Sequence, residues 1–135
     1  MSERGSLAVA VAQPVCVPGD VEANVAAHAD AVRSAGARLV VFPELSLTGY
    51  VLDAPAVVLT GGVLDPLVDA CAGAGAVAVV GAPIAECGDR FIAMLEVAAT
   101  GVRVAYRKMC LGGDEPQFFC AGDAVPPPAA AASSF

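Results

Sequence analysis

The chain has 135 residues and a formal net charge of −7, and 57% of its residues are hydrophobic. That length fits one domain with a real core, and a mean hydropathy of +0.70 excludes a largely disordered chain. Seven scattered Lys and Arg give no basic footprint for nucleic acid, so the acidity is read as solubility.

Leu7 to Ala12 reads as a first strand, apolar on both faces. The run is too short for a signal-peptide core, and Gln13-Pro14 interrupts it. Pro18-Gly19-Asp20 is a turn with Asp20 as N-cap, and a helix follows from Val21 to about Ser34. Val21, Val25, His28 and Val32 recur at helical spacing as its buried stripe, and Gly36 closes it. Arg38 to Phe42 is a second strand; strand, helix and strand in this length make a βαβ unit with parallel strands. Residues 44–62 are irregular, a loop at the carboxyl end of that strand. A second helix starts near Asp65, where Asp-Pro is a favoured cap and first-position pair. Leu64, Leu67, Val68 and Cys71 lie on one of its faces, and Gly73 and Gly75 close it. Ala76 to Val80 is a third buried strand. The run 70–85 is broken by Gly73, Gly75, Gly81 and Pro83, too short and too weakly apolar to span a bilayer. Phe91 to Ala98 and Val102 to Arg107 then form an antiparallel hairpin across Ala99-Thr100-Gly101.

The pattern is α/β: βαβαβ followed by a meander, without internal repeats. From Pro126 the sequence is low in complexity, which divides the chain into a domain over 1–123 and a disordered Pro/Ala-rich tail over 124–135. Five cysteines show neither a CxxC pair nor metal-like clustering. They read as reduced thiols of a cytoplasmic protein, with Cys16 and Cys71 as small core residues.

Three residues stand out for chemistry. Glu44 follows an apolar strand and Pro43 directly, which delivers a carboxylate to the mouth of a parallel sheet. Lys108 ends the alternating run from Val102, sharing a face with Val104 and Tyr106, and its ammonium points inward or snorkels to water. Glu115 by itself is an ordinary loop acid.

Together these residues carry a family signature. Gln13, Phe42-Pro43-Glu44-Leu45-Ser46-Leu47-Thr48-Gly49-Tyr50, Tyr106-Arg107-Lys108, Leu111, Glu115, Phe119 and Gly122-Asp123 resemble, in order and spacing, the nitrilase superfamily of carbon–nitrogen hydrolases. The resemblance implies an α-β-β-α sandwich and a Glu-Lys-Cys triad that cleaves non-peptide C–N bonds of amides or nitriles. On that basis Glu44 is the general base, Lys108 stabilises charge and Glu115 positions substrate and lysine. A thiolate attacks the carbon, the carboxylate takes the thiol proton, and the ammonium stabilises the developing anion, with no metal or organic cofactor.

The sequence departs from the family after Asp123, and the phrase Gly-x-x-x-Cys-x-Asp that carries the family's nucleophile is absent from it. Cys110 and Cys120 gain no catalytic role from the resemblance. The expectation is the amino-terminal half of such a sandwich, a mixed sheet with a β-hairpin, truncated before its nucleophile and inactive alone. Such a half leaves a sheet face bare, so it should pair with another copy or aggregate. The competing reading is an interaction module that retains the fold's self-association surfaces. A flavodoxin-like nucleotide domain is disfavoured, because residues 13–19 are not a Gly-rich phosphate loop. Neither nucleic acid nor membrane is an expected partner.

Overall fold

The computed structural model describes residues 6–123, so the expected tail over 124–135 lies outside the described residues. Within them the chain runs β1 (Val9–Val11), α1 (Val21–Ala35), β2 (Leu39–Val41), α2 (Asp65–Ala74), β3 (Val77–Glu86), β4 (Asp89–Ala98), β5 (Gly101–Arg107) and a short 3-10 turn, Glu115–Gln117. The strands form one sheet in the order β1-β2-β3-β4-β5. The first three are parallel, and β3-β4 and β4-β5 are antiparallel. This is the expected mixed α/β sheet.

The local reasons are those of the sequence. The Asp20 side chain accepts the Ala23 N–H at 3.1 Å to start α1, and Gly36 ends it in the left-handed region at φ 62°. Val25, His28 and Val32 are buried as expected, joined by Asn24 and Ala29. Helix α2 differs from expectation at both ends. Leu64 is its N-cap, Asp65 is already helical and makes no cap bond, and Gly75 alone closes it while Gly73 lies inside.

Three strand assignments change. β1 is shorter than the expected Leu7 to Ala12; both its faces are apolar, but as an edge strand among the described residues it leaves Val9 and Val11 exposed, and only Ala10 and Ala12 reach the core. β3 runs well past Val80 to Glu86 and forms a hairpin with β4 that the breakers Gly81 and Pro83 concealed. Pro83 is tolerated because its carbonyl faces the 44–62 loop, accepting Val57 N–H at 2.8 Å, and the missing N–H would point the same way. The tight turn of this hairpin is Cys87-Gly88, both at positive φ. Finally, β5 carries a bulge. Leu95 pairs with Val104 and Met94 with Tyr106, leaving Ala105 unpaired. One extra residue reverses the facing of all that follows. Lys108 therefore does not share a face with Val102 and Val104; it lies with Ile92 and Met94 on the opposite side.

Both helices cover one face of the sheet. Val25, Ala29 and Val32 of α1 and Leu67, Ala70 and Cys71 of α2 pack on Val40, Ala78, Val80, Ala82, Leu95 and Val97. On the other face no helix lies among the described residues, and only a small cluster of Leu45, Ile92 and Phe119 forms near the ends of β4 and β5.

Gly81 is where the loop after β2 meets the sheet. A Cβ built there would lie 2.3 Å from Leu45 N and 2.5 Å from Pro43 O, both backbone atoms that no rotamer change can move. Gly81→Ala should cost about 1–3 kcal/mol or more in denaturant melts. Gly73→Ala, inside α2 and facing open space, should instead stabilise by about 0.5–1 kcal/mol.

Candidate active site

Phe42 still bonds to β3, donating its N–H to Val79 O at 2.8 Å, and the chain then turns at Pro43. The turn is closed by Ser46 N–H to Pro43 O and Gly49 N–H to Leu45 O, at 3.2 and 2.7 Å. Leu45 sits at φ 54°, an uncommon conformation for a leucine. Its side chain, buried against Ile92 and Phe119, holds it there. Glu44 thus projects from a turn anchored on both sides.

Lys108 is fixed at the end of β5 by its own backbone. Its N–H donates to Ile92 O at 2.7 Å and its carbonyl accepts Gly122 N–H at 2.9 Å. Gly122 lies so close to Arg107 that a Cβ would meet the Arg107 carbonyl at 2.6 Å. Arg107 points the other way and pairs with Glu86 at 2.6 Å, as successive strand residues must. Glu115 opens the 3-10 turn and is buried, 4% exposed.

The structure brings the three sequence-predicted residues together. Lys108 Nζ lies 3.0 Å from Glu44 Oε1 and 3.0 Å from Glu115 Oε1. The two carboxylates around this one ammonium differ. Glu115 has both oxygens engaged: Oε1 also accepts the Gly112 N–H at 3.0 Å, and Oε2 accepts the Tyr50 hydroxyl at 2.9 Å. Glu44 has Lys108 as its side-chain partner, and its side chain is 42% exposed, leaving lone pairs free. Glu115 is held below the usual carboxylate range, first by the Gly112 amide and then by Lys108. Lys108 is raised above the usual lysine range by Glu115 and Glu44, and Tyr50 is raised by donating to Glu115.

Tyr50 and the Gly112 amide are members that sequence reasoning missed. Tyr50 lay inside the quoted phrase, but its partner is 65 positions away. None of the five cysteines joins this network among the described residues. Cys87, Cys110 and Cys120 are exposed, Cys71 is buried under the helices as expected, and Cys16 is only half-buried, with its Sγ against Gly49. No group of three or more His, Cys, Asp or Glu among the described residues is placed to hold a metal ion, and no helix there is long and apolar enough to cross a membrane.

The carbon–nitrogen hydrolase family model matches residues 8–128 of the chain. Curated protein sequences give no significant match. Among solved structures, an amidase from Nesterenkonia sp. is 29% identical with a TM-score of 0.73, over 93% of this chain and 51% of the amidase. A Glu-to-Gln mutant of the amidase from Nesterenkonia sp. AN1, with acrylamide added at its active site cysteine, gives 26%, 0.73, 91% and 52%. A CN-hydrolase superfamily protein from Xanthomonas campestris, 19% identical with a TM-score of 0.76 over 87% of this chain and 47% of that one, shares the fold. The chain spans about half the length of each.

The charge network has a signed pH dependence. Glu115, depressed in the folded chain, contributes stability present above the ordinary carboxylate pKa and lost as pH falls through its lower folded value. Lys108, raised, contributes stability present below the ordinary lysine pKa and lost as pH rises through its higher folded value. Glu115→Gln should remove much of the acid-side loss in thermal melts. It should also lower the Lys108 midpoint, read by NMR as one signal because Lys108 is the only lysine.

Proposed function

Because the chain belongs to the carbon–nitrogen hydrolase family, we propose that Glu44, Lys108 and Glu115 are the acid–base and electrostatic part of a site that cleaves amides or nitriles by thiol catalysis. The unequal environment of the two carboxylates supports this most directly. A base needs an accessible oxygen, which the 42% exposed Glu44 has and the buried Glu115, with donors on both oxygens, does not. With an amide, Glu44 takes the thiol proton as sulfur bonds to the substrate carbon and returns it to the departing nitrogen; with a nitrile the proton goes to the nitrogen of a thioimidate, and a first water must add before ammonia leaves. Glu44 then activates the water that releases the acid from the thioester. Lys108 faces the anion that develops on the substrate oxygen or nitrogen. Glu115, locked by Tyr50 and Gly112, keeps the ammonium in place.

The isolated 135-residue chain has no thiol poised for that attack. With a short aliphatic amide it should release no ammonia above the Glu44→Gln background. Acrylamide should alkylate its thiols in order of exposure, with Cys87, Cys110 and Cys120 before Cys71, and Glu44→Gln should leave that order unchanged. Amide hydrolysis abolished both by Glu44→Gln and by one Cys→Ser change would overturn this reading.

A second reading, an interaction module, is favoured by the edge strand β1. Val9 and Val11 are 52% and 83% exposed there, on a strand with one neighbour among the described residues. Sedimentation should find the chain associated with further copies, and Val11→Lys should shift it towards monomer; a monomer at every concentration would count against association.

A further inference from the structure

Helix α1 carries two fully buried polar side chains, Asn24 and His28, one turn apart. Both reach the turn that holds Glu44. Asn24 Nδ2 donates to Leu47 O at 2.9 Å and to Val17 O at 2.8 Å, while its Oδ1 accepts the Val17 N–H at 2.8 Å. His28 touches the turn on each side of Glu44. Its ring stacks on Phe42, with centroids 4.2 Å apart and planes 19° from parallel, and Nε2 lies 2.9 Å from Ser46 Oγ.

Donor and acceptor roles follow from the partners. Nδ1 lies 2.6 Å from the Asn24 carbonyl, which only accepts, so Nδ1 carries the proton in the assigned tautomer. Nε2 of the neutral ring then accepts the Ser46 hydroxyl proton. Ser46 Oγ in turn accepts the Gly81 N–H at 3.1 Å. Every hydrogen bond of the chain Asn24–His28–Ser46–Gly81 is used once. Burial holds the imidazole below the usual histidine pKa, which keeps this neutral arrangement near pH 7.

An apolar side chain would fill the same space without the cost of burying an imidazole. What the histidine adds is direction. We propose that His28 is a positioning residue for Glu44: with Ser46 it fixes the turn from Phe42 to Leu47 on Gly81, and so aims the Glu44 carboxylate at Lys108. Its meaning for catalysis rests on Glu44 being the base. Its geometry does not, and it is read without turnover.

The test uses the whole chain with labelled lysine and histidine, each of which gives one set of signals because Lys108 and His28 are the sole residues of their types. His28→Phe keeps an aromatic ring and loses both bonds; Ser46→Ala loses the hydroxyl; Ser46→Thr retains it. Val32→Ala, a cavity one turn further along α1, serves as the control for plain destabilisation. In the folded variants, His28→Phe and Ser46→Ala should lower the Lys108 midpoint by about one pH unit, the size expected when one opposite charge moves away. Ser46→Thr should restore it, and Val32→Ala should lower the melting temperature without moving it. An unchanged Lys108 midpoint in both His28→Phe and Ser46→Ala overturns the proposal. Should those variants not fold, ring 15N shifts of the unmodified chain decide it: Nδ1–H with an accepting Nε2 at pH 7 supports the clamp, and the opposite tautomer or a charged ring refutes it.

Discussion

The site depends on one close approach: the backbone of the Glu44 turn lies directly on β3 at Gly81, where a single methyl group would not fit. β2 stops at Val41, yet its neighbour β3 continues for several more residues. Left alone, the freed edge of β3 would present unpaired amides and carbonyls. The loop takes them over. Leu47 donates to Gly81 O at 2.9 Å and Val57 to Pro83 O at 2.8 Å, while Ser46 Oγ takes the Gly81 N–H. The segment that carries the acid is therefore held by strand-like bonding without being a strand. This is how a turn with a left-handed leucine stays in one place.

Around that anchor, charge is arranged by the number of donors and by burial. Two carboxylates and one ammonium leave the cluster one negative charge in excess. The excess rests on the carboxylate with fewer donors and more water. A buried acid with amide, ammonium and phenol donors is a fixed counter-charge, whereas an open one keeps an oxygen accessible from outside. Equivalent residue types thus acquire different capabilities from their surroundings alone. Arg90 stabilises the same neighbourhood from outside, donating to the carbonyls of Leu52 and Ala54 and lying over the Phe119 ring at 4.8 Å.

Much of this was legible in the sequence. Both helices, the parallel β2 and the last hairpin followed from periodicity and caps, and the trio of Glu44, Lys108 and Glu115 from a family resemblance that the matched family model supports. What escaped reading was long-range. Gly81 and Pro83 look like strand breakers until the loop packed on them is seen. Tyr50 looks like an exposed aromatic until Glu115 arrives from beyond β5. His28 was read as a core residue on an apolar stripe; its burial was foreseeable, but its grip on Ser46 was not. The bulge at Ala105 has no local signature, and it inverted the face assigned to Lys108.

That bulge makes the location of the ammonium a question of parity. Arg107 and Lys108 are adjacent cations on opposite sides of the sheet, each with a carboxylate waiting: Glu86, partly exposed, on the face that the helices pack against, Glu44 and Glu115 on the bare side. The chain chooses between them by counting. With Ala105 bulged out, the even-numbered cation reaches the two acids. Were Ala105 instead drawn into regular pairing opposite Met94, the two would trade sides, and a planar guanidinium with five donors would occupy the place of a compact ammonium. Charge would be conserved and the sheet would still pair. The site would nonetheless hold a different ion, one whose fork locks both acids and leaves neither open.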